Sequence, residues 1–346
     1  MDNRIVLAVA GSGKTRLLIE RLNIDERFAI ITFTNNNERN IKRRIIEKFG
    51  CVPSNIHVFT YFSFLYGFCF KPFMLFTTDA KGLTFDPCQN RFAAGLDRFI
   101  DKFGRVYSNR LAKFIDSEGF GGLVENRISK YFDVAMIDEV QDFAAHDFNF
   151  LTHFVNARSA SIFVGDFYQH TFDTSRDGNV NKNLHESFAG YISRVKQLGL
   201  LADQETLGKS HRCSPTICEF IKEKLGISIE SERTDATEVE FVDNDKLIAD
   251  IYRDHATVKL FFRDAGKYDC ASRNWGASKG ENDFVDVCVV LNDETYKHFA
   301  GNKLDQLKPQ TRNKLYVAMT RARRSVYFMR EKQLKTLIGS FSLPTT

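Results

Sequence analysis

The segment from Ile5 to Ile19 constrains the fold of this chain more than any other stretch. Its apolar first half enters the tight turn Gly11-Ser12-Gly13, and leucine and isoleucine residues at helical spacing follow the turn. Glycine suits such a turn because it has no Cβ and adopts positive φ at little cost. The N–H groups at the start of a helix bind phosphate oxygens. The order of strand, glycine loop and helix therefore predicts a site for the phosphates of a nucleotide.

Each residue of this loop has an expected contact with the nucleotide. The backbone N–H groups of Gly11, Ser12 and Gly13 are expected to face phosphate oxygens, and Ala10 is expected to line the same nucleotide site. Lys14 is expected to reach the β- and γ-phosphates, and the Thr15 hydroxyl is expected to hold Mg²⁺. The general form of the motif has glycine at the position that Ala8 occupies.

Length and composition predict two domains without a membrane partner. The chain has 346 residues, of which 27% are charged and 43% hydrophobic, and its net charge of +4 is compatible with nucleic acid but does not argue for it. Its 33 phenylalanines are expected in the core, with some as stacking platforms for bases. The seven cysteines form no C-x-x-C pair, which favours reduced, mostly buried thiols and a cytoplasmic location. Neither a membrane span nor a targeting leader before Ile5 is expected.

Apolar runs alternate with helical patterns along most of the chain. Strands are predicted at Phe28–Phe33, Ile56–Thr60, Phe132–Glu139, Ser161–Asp166, Val258–Phe262, Val285–Leu291 and Ser325–Phe328. Helices are predicted at Glu38–Phe49, Tyr61–Phe70, Pro215–Leu225 and Lys303–Arg324. This alternation predicts an α/β fold with parallel sheets. We predict a first domain at 1–200 with a small, mostly helical insertion at 71–130, and a second domain at 201–346 in which 226–256 is an irregular linker.

Charged residues mark two further features of the first domain. Asp138 and Glu139 end a predicted strand, where Asp138 is expected to bind Mg²⁺ through water and Glu139 to polarise the attacking water. Gln169 lies three residues after Asp166 and is expected to contact the γ-phosphate. The helix at 38–49 carries five Lys or Arg residues, which form either a solvated face or a phosphate-contacting face.

Taken together, these motifs resemble those of superfamily 1 helicases of the UvrD/Rep type. The matching segments are Ala8–Thr15 (A-x-x-G-x-G-K-T), Ile31–Asn35, Phe59–Ser63, Ile137–Asp142 (D-E-x-Q-D), Val164–Gln169 (V-G-D-x-x-Q), Ser210–Arg212, Ser278–Glu281 and Leu315–Arg323. The eight patterns follow the family's order and span nearly the whole chain. The resemblance implies two RecA-like domains that bind ATP between them and single-stranded DNA across both, with movement in the 3′ to 5′ direction.

The resemblance also implies roles for individual residues. Arg212 and Arg321 resemble the arginine fingers that contact the γ-phosphate, and Arg16 is expected near the base. His211 stands where the family usually has an adenine-stacking tyrosine, while Gly280 and Glu281 resemble the motif that contacts the ribose. The expected DNA contacts are base stacking by Phe33 and Phe172 and backbone contacts by Thr34, Asn35 and Thr60.

The departures from the family bear on function. The glutamine that reads adenine upstream of the loop is not expected here, because only four residues precede Ile5. The inserts that normally grip the duplex are reduced, which favours ATP-driven translocation over unassisted unwinding. We therefore predict a DNA translocase or helicase whose ATPase is stimulated by single-stranded DNA or by DNA with a single-stranded end. The alternative is a nucleotide-dependent DNA-sensing subunit of a larger complex, with a protein partner such as a nuclease, as in phage defence.

Overall fold

The computed structural model describes residues 2–90, 92–172, 179–281 and 283–341. The chain forms two compact units, of which the first comprises residues 1–7, 14–165 and 172–204 and the second comprises 8–13, 166–171 and 205–346. Each unit contains a parallel β-sheet with helices. The predicted α/β class with parallel sheets is confirmed.

The first unit is organised around a six-stranded sheet. Its strands are β1 (Asn3–Leu7), β2 (Phe28–Thr32), β3 (Ile56–Thr60), β4 (Gly82–Thr84), β5 (Arg105–Tyr107), β6 (Val134–Ile137), β7 (Ala160–Gly165) and β8 (Leu201–Asp203). Six of them form one sheet in the order β3-β2-β6-β7-β1-β8, with every neighbouring pair parallel, while β4 pairs with β5. Parallel strands share the edge at which their carboxyl ends lie, so the residues that follow β2, β3 and β6 lie at one edge.

Nine α-helices of the described residues belong to this unit. They are α1 (Lys14–Arg21), α2 (Asn35–Phe49), α3 (Tyr61–Ser63), α4 (Lys71–Thr78), α5 (Leu111–Ser117), α6 (Gly121–Tyr131), α7 (Ala145–Phe150), α8 (Thr152–Asn156) and α9 (Phe188–Gln197). A π-helix at Phe64–Phe70 joins α3 to α4. The predicted start of α2 at Glu38 is wrong by one turn, because the Thr34 hydroxyl accepts the Asn37 N–H and caps the helix earlier.

The segment at 71–130 combines helices with a short sheet. It holds α4, the β4–β5 pair, α5 and α6. Between β4 and β5 the described residues form one 3₁₀ turn at Gly95–Arg98.

A largely buried histidine links three helices of the first unit. His153 on α8 contacts Asp116 through Nε2 (2.7 Å) and Glu125 through Nδ1 (2.8 Å). Its ring lies against Gly121, where a Cβ would stand 2.4 Å from Cε1, so glycine is required there. Burial alone lowers the pKa of His153, but the hydrogen bonds and charges of Asp116 and Glu125 outweigh it, and the pKa is raised above its usual value.

We expect this contact to make the stability of the first unit depend on pH. A histidine whose folded pKa is raised contributes stability below its unfolded pKa, and that contribution is lost as the pH rises through the folded pKa. His153→Gln should therefore lower the free energy of unfolding by about 1–3 kcal/mol in mildly acidic buffer, the range for hydrogen bonds to charged groups, and by less in alkaline buffer. Urea denaturation across this pH range measures the effect, with the exposed His255→Gln as the matched control. A pH-independent loss would contradict the assignment.

The second unit is built on a five-stranded parallel sheet. Its strands are β9 (Lys209–Ser210), β10 (Glu230–Ser231), β11 (Val239–Phe241), β12 (Val258–Phe261), β13 (Ser272–Asn274), β14 (Val287–Leu291) and β15 (Val326–Arg330). The main sheet has the order β11-β15-β14-β12-β13, and β9 pairs with β10. Its helices are α10 (Pro215–Leu225), α11 (Asp245–Arg253), α12 (Asp293–Ala300), α13 (Pro309–Met319) and α14 (Glu331–Phe341). All five residues of the central strand β14 are buried, which accounts for its uninterrupted apolar sequence.

Two secondary-structure predictions for this unit are wrong. The segment 226–256, predicted as a linker, contains the edge strand β11 and the helix α11. One face of α11 is polar, and its opposite face is buried and includes Ile248 and Tyr252. The single helix predicted at Lys303–Arg324 is a 3₁₀ turn at Leu304–Gln306 followed by α13. Proline at 309 has no N–H to continue a preceding helix, and its fixed φ suits the first turn of a new one.

The described part of the chain contains no disulfide bond and no helix that could span a membrane. All seven thiols are free, and Cys69, Cys213, Cys218 and Cys288 are buried. None of the described helices is long and apolar enough to cross a membrane.

Candidate nucleotide and nucleic-acid sites

The glycine loop has the backbone that its sequence predicts. Gly11 and Gly13 have φ values of +74° and +95°. A Cβ on Gly11 would lie 2.6 Å from the Cβ of Arg212, so a side chain is excluded by space as well as by φ. Helix α1 follows the loop and has no acidic residue in its first turn, which keeps its positive end available for an anion.

Ala10 anchors the glycine loop through two backbone hydrogen bonds within the second unit. It is fully buried, its N–H donates to the Tyr316 hydroxyl (2.9 Å), and its carbonyl accepts the Ser210 hydroxyl (2.7 Å). These two hydrogen bonds give both backbone groups of Ala10 protein partners, so the residue helps to position the loop, and its expected place in the nucleotide site stays a prediction.

Tyr316 connects the loop to Asp166 within the second unit. Its hydroxyl donates to Asp166 Oδ2 (3.1 Å), which also accepts Nε2 of Gln169 (2.8 Å). Tyr316 is fully buried, and burial raises its pKa well above the usual value, so the hydroxyl stays neutral and donates. The side chain of Gln169 is therefore oriented by Asp166, while its expected γ-phosphate contact stays a prediction.

The two arginines expected to act as arginine fingers meet at one threonine. Arg212 Nη1 donates to the Thr320 carbonyl (3.0 Å), and Arg321 Nη2 donates to the Thr320 hydroxyl (3.5 Å). Arg321 also donates to the carbonyls of Val317 and Glu281 (both 3.1 Å), and only 2% of it is exposed. Burial lowers the pKa of Arg212, yet a guanidinium remains charged at any physiological pH.

The other predicted nucleotide residues of the second unit are more exposed. The N–H of His211 donates to the Gly11 carbonyl (3.0 Å), and the residue is exposed. Gly280 has a φ of +86°, which favours glycine. The carboxylate of Glu281 pairs with Arg273 (3.0 Å), so its expected ribose contact would compete with this ion pair.

The first unit brings three predicted catalytic residues together at the carboxyl end of β6. Lys14 Nζ lies 3.8 Å from Glu139 Oε1, and both side chains are largely buried. Asp138 is 3% exposed, and its Oδ1 accepts the N–H of Glu139 (3.0 Å). Gln141 Nε2 donates to the other oxygen of Glu139 (2.5 Å).

Glu139 adopts a strained backbone conformation. Its φ of +56° lies in the left-handed region, which costs a non-glycine residue about 1–2 kcal/mol. Such strain persists where the surroundings determine it, and it clusters at functional sites. Gln141, which holds the carboxylate, itself depends on Gly165, since a Cβ there would lie 2.4 Å from Oε1 of Gln141.

The residues present fit Mg²⁺ and the phosphates of a nucleotide. Carboxylate and hydroxyl oxygens, as in Asp138 and Thr15, are ligands that Mg²⁺ prefers, with waters and phosphate oxygens completing its shell. The described part of the chain has no cluster of three or more His, Cys, Asp or Glu residues that could hold a metal by itself. Arg16 projects into solvent and pairs with Glu20 (2.6 Å), so its expected place near the base stays a prediction.

The residues expected at DNA lie at the carboxyl ends of β2 and β3. Phe33 follows β2 and contacts Phe172, with ring centroids 5.5 Å apart. Thr34 and Thr60 cap α2 and α3, and Thr34 and Asn35 are exposed. Phe33 is half-buried, which leaves both its stacking role and its packing role open.

Most basic residues of α2 have partners inside the protein. Lys42 pairs with Glu38 (2.5 Å), Arg43 with Glu47 (3.7 Å), and Lys48 donates to the carbonyls of Ile19 and Leu22. These contacts favour the solvated-face interpretation of this helix over phosphate binding.

Three site residues received no role from the sequence. Gln141 and Tyr316 stand inside the matched motifs, and for Tyr316 a hydroxyl-bearing residue between the apolar Leu315 and Val317 was the available signal. Phe62 contacts Phe33 with a centroid distance of 5.7 Å. No periodicity pointed to it, because its neighbours Tyr61 and Phe64 are also aromatic.

Comparison with known proteins identifies a family and a fold. The sequence profile of the family described as viral superfamily 1 RNA helicase core domain matches residues 123–330, more than half of the chain. The arterivirus nonstructural protein 10 helicase, solved as a complex with DNA, has a TM-score of 0.52 and 16% identity over 97% of this chain. A second structure of an arterivirus nonstructural protein 10 helicase has a TM-score of 0.50 and 16% identity over 96%. This chain covers only 63% and 61% of those two chains. A comparison with curated proteins gave no match.

Proposed function

The chain belongs to the viral superfamily 1 RNA helicase core family, and on this basis we propose that it is an ATP-driven motor on single-stranded nucleic acid. We further propose that the strand is DNA and that movement along it runs 3′ to 5′. The affiliation with the UvrD/Rep branch, which implies this polarity, is supported by D-E-x-Q-D at Asp138–Asp142 and V-G-D-x-x-Q at Val164–Gln169.

One observation carries the proposal most directly. Lys14, at the start of the helix after the glycine loop, lies 3.8 Å from the carboxylate of Glu139. Gln141 donates a hydrogen bond to this carboxylate, and the backbone of Glu139 is strained. A phosphate-binding cation and a candidate general base are thus oriented together in the first unit. Positioning and electrostatic stabilisation supply most of the catalysis in phosphoryl transfer.

The proposed chemistry assigns a task to each group. Backbone N–H groups of the loop and Lys14 bind phosphate oxygens. Thr15 and Asp138 would hold Mg²⁺, which would supply charge neutralisation at the phosphates when bound. Glu139 accepts a proton from the attacking water. Arg212 and Arg321 stabilise the charge that develops on the transferred phosphoryl group, with Gln169 contacting the γ-phosphate.

The proposed contacts with the nucleic-acid strand are of two kinds, aromatic stacking on bases and hydrogen bonds from a helix N-terminus to phosphates. Phe33 and Phe172 stack on bases, which is worth about 1–3 kcal/mol per base and does not discriminate among sequences. Exposed N–H groups at the start of α2, next to Thr34 and Asn35, bind the backbone phosphates. Base stacking does not contact the 2′-hydroxyl that distinguishes RNA from DNA. The DNA assignment therefore has to be tested by comparison with RNA.

We expect ATP hydrolysis by the wild-type chain to rise several-fold on addition of a single-stranded DNA oligonucleotide, because strand binding favours the hydrolysing arrangement. The steady-state rate measures this, in parallel with an RNA oligonucleotide of the same sequence and with blunt duplex. Greater stimulation by RNA would overturn the DNA assignment and keep the motor. Translocation is measured by displacement of streptavidin from biotin at the 5′ or the 3′ end of the strand.

Lys14→Ala is the control for contaminating activity and should reduce hydrolysis by about 100-fold or more. The exposed Lys196→Ala on α9 removes a lysine of the same unit and should leave the rate unchanged. A rate that is unchanged by both the strand and Lys14→Ala would contradict the proposal. Stimulated hydrolysis with no displacement in either direction would instead favour the DNA-sensing alternative.

A further inference from the structure

Four phenylalanine rings of the first unit follow one another from Phe172 to Phe85. The ring centroids are 5.5 Å apart for Phe172 and Phe33, 5.7 Å for Phe33 and Phe62, and 5.4 Å for Phe62 and Phe85. The interplanar angles are 49°, 66° and 82°, so the rings are tilted or edge-to-face rather than stacked on one another. The first two rings are the proposed base-stacking residues, and the last two continue the same row.

The row runs from half-buried rings to a ring that projects into solvent. Phe33 and Phe62 are half-buried, Phe172 is 36% exposed, and Phe85 is 71% exposed. A large exposed apolar side chain that touches other rings forms part of a surface patch, and such patches mark interaction sites. A flat apolar face in contact with solvent suits a nucleobase.

Phe62 and Phe85 are held at defined places by their neighbours. Tyr61 is fully buried, packs on Phe143 and donates to Asp147 (3.0 Å), which fixes the backbone next to Phe62. The residues on both sides of Phe85 bond to each other, since the Thr84 hydroxyl accepts the Asp86 N–H (3.2 Å). Pre-organised rings lose little conformational entropy on binding.

Two properties indicate which ligand binds this row of rings: the charge of the segment around Phe85, and the continuity of the row with the proposed base-stacking residues Phe33 and Phe172. Residues 71–110, which contain Phe85, carry seven Lys or Arg residues against four Asp, a net charge of +3 in a chain whose total is +4. The stretch of sequence that contains Phe85 is therefore positively charged on balance. A polyanion with aromatic faces matches both properties.

We propose that Phe62 and Phe85 form an additional stacking subsite, which carries unpaired bases of a single strand from Phe33 onto the 71–130 segment. This proposal rests on the proposed function, because it extends the same strand-binding surface. It assigns the 71–130 segment a direct role in holding the unpaired strand.

The test measures the affinity of the full chain for fluorescein-labelled oligo(dT) of increasing length by anisotropy. Phe85→Ala should weaken binding about tenfold, as expected for the loss of one stacked base, for oligonucleotides long enough to reach this ring and not for the shortest ones. Phe85→Trp should retain affinity, and Phe85→Leu should lose it, because leucine keeps apolar area without an aromatic face. The dependence of affinity on salt should keep its slope, since no phosphate contact is removed.

Phe76→Ala is the matched control, because Phe76 is 96% exposed on α4 in the same segment and should show wild-type affinity. Photocrosslinking with 5-iodouracil, followed by mass spectrometry, should identify the peptide that contains Phe85. Wild-type affinity in Phe85→Ala, or full affinity in Phe85→Leu, would refute the subsite. If Phe33→Ala weakens binding while Phe85→Ala does not, only this inference fails. If the wild-type chain binds no single strand, the proposed function fails with it.

Discussion

Glu139→Gln is expected to abolish most ATP hydrolysis and to leave nucleotide binding intact. Glutamine has the shape of glutamate but cannot accept the proton of the attacking water, and general-base catalysis contributes about 10²- to 10⁴-fold. Loss of the carboxylate also removes the partner that lies 3.8 Å from Lys14, so the lysine is more available to phosphate. We therefore expect a kcat lower by about 10²- to 10⁴-fold and an unchanged or tighter nucleotide Kd.

The matched control for this variant is Gln141→Leu. It keeps the carboxylate of Glu139 and removes the 2.5 Å hydrogen bond that orients it. A positioning role predicts a smaller loss of kcat than in Glu139→Gln, with little change in nucleotide affinity. If Glu139→Gln hydrolyses ATP at the wild-type rate, Glu139 is not the base, and its strained φ has another cause.

Arg321→Lys is expected to reduce strand-stimulated hydrolysis by about 10³-fold or more, as arginine fingers do. Lysine keeps the positive charge but cannot reproduce the planar arrangement in which Arg321 donates to Val317, Glu281 and Thr320. In the proposed mechanism, a guanidinium placed by these bonds would stabilise the phosphoryl charge without reorganisation during the reaction.

Because Arg321 is almost fully buried, loss of activity has to be separated from loss of stability. Truncation to alanine would leave the carbonyls of Val317 and Glu281 without this donor, at a cost of about 1–3 kcal/mol for each unpaired group. We therefore expect Arg321→Lys to keep a cooperative thermal transition and nucleotide binding while kcat falls. Arg324→Lys is the matched control, because this exposed arginine of the same unit pairs with the buried Asp286. Equal loss of kcat in both variants would contradict a specific role for Arg321.

Some site residues could be found from the sequence because their chemistry is tied to short spacing. Lys14 directly follows the glycine loop, and Asp138 and Glu139 end a predicted strand, so the parallel-strand rule places all three at one edge of the sheet. Gln141 and Tyr316 could not be assigned, because their partners lie across turns or far along the chain. Tyr316 bonds to Ala10, 306 residues away, and no local pattern encodes that pairing.

The errors in secondary structure have the same origin. The polar composition of 226–256 favoured a linker, yet the apolar side of α11 is buried and β11 pairs with β15. The composition of a segment gives only its average polarity. Which of its side chains become buried depends on how the segment packs against the sheet. In contrast, α10 begins and ends as predicted, since Ser214, Pro215 and Gly226 are local start and stop signals.

The sequence by itself determined the parallel α/β class, the glycine loop and the two carboxylates after β6, because strand period, glycine conformation and motif spacing act over a few residues. Only the tertiary structure decided that the Ala10 backbone is occupied by Tyr316 and Ser210, that Thr320 joins Arg212 to Arg321, and that a row of rings runs from Phe172 to Phe85. These contacts join residues distant in sequence, and their partners are selected by packing and by the need to satisfy buried polar groups. The glycine loop thus follows from local chemistry, while its supports follow from the fold.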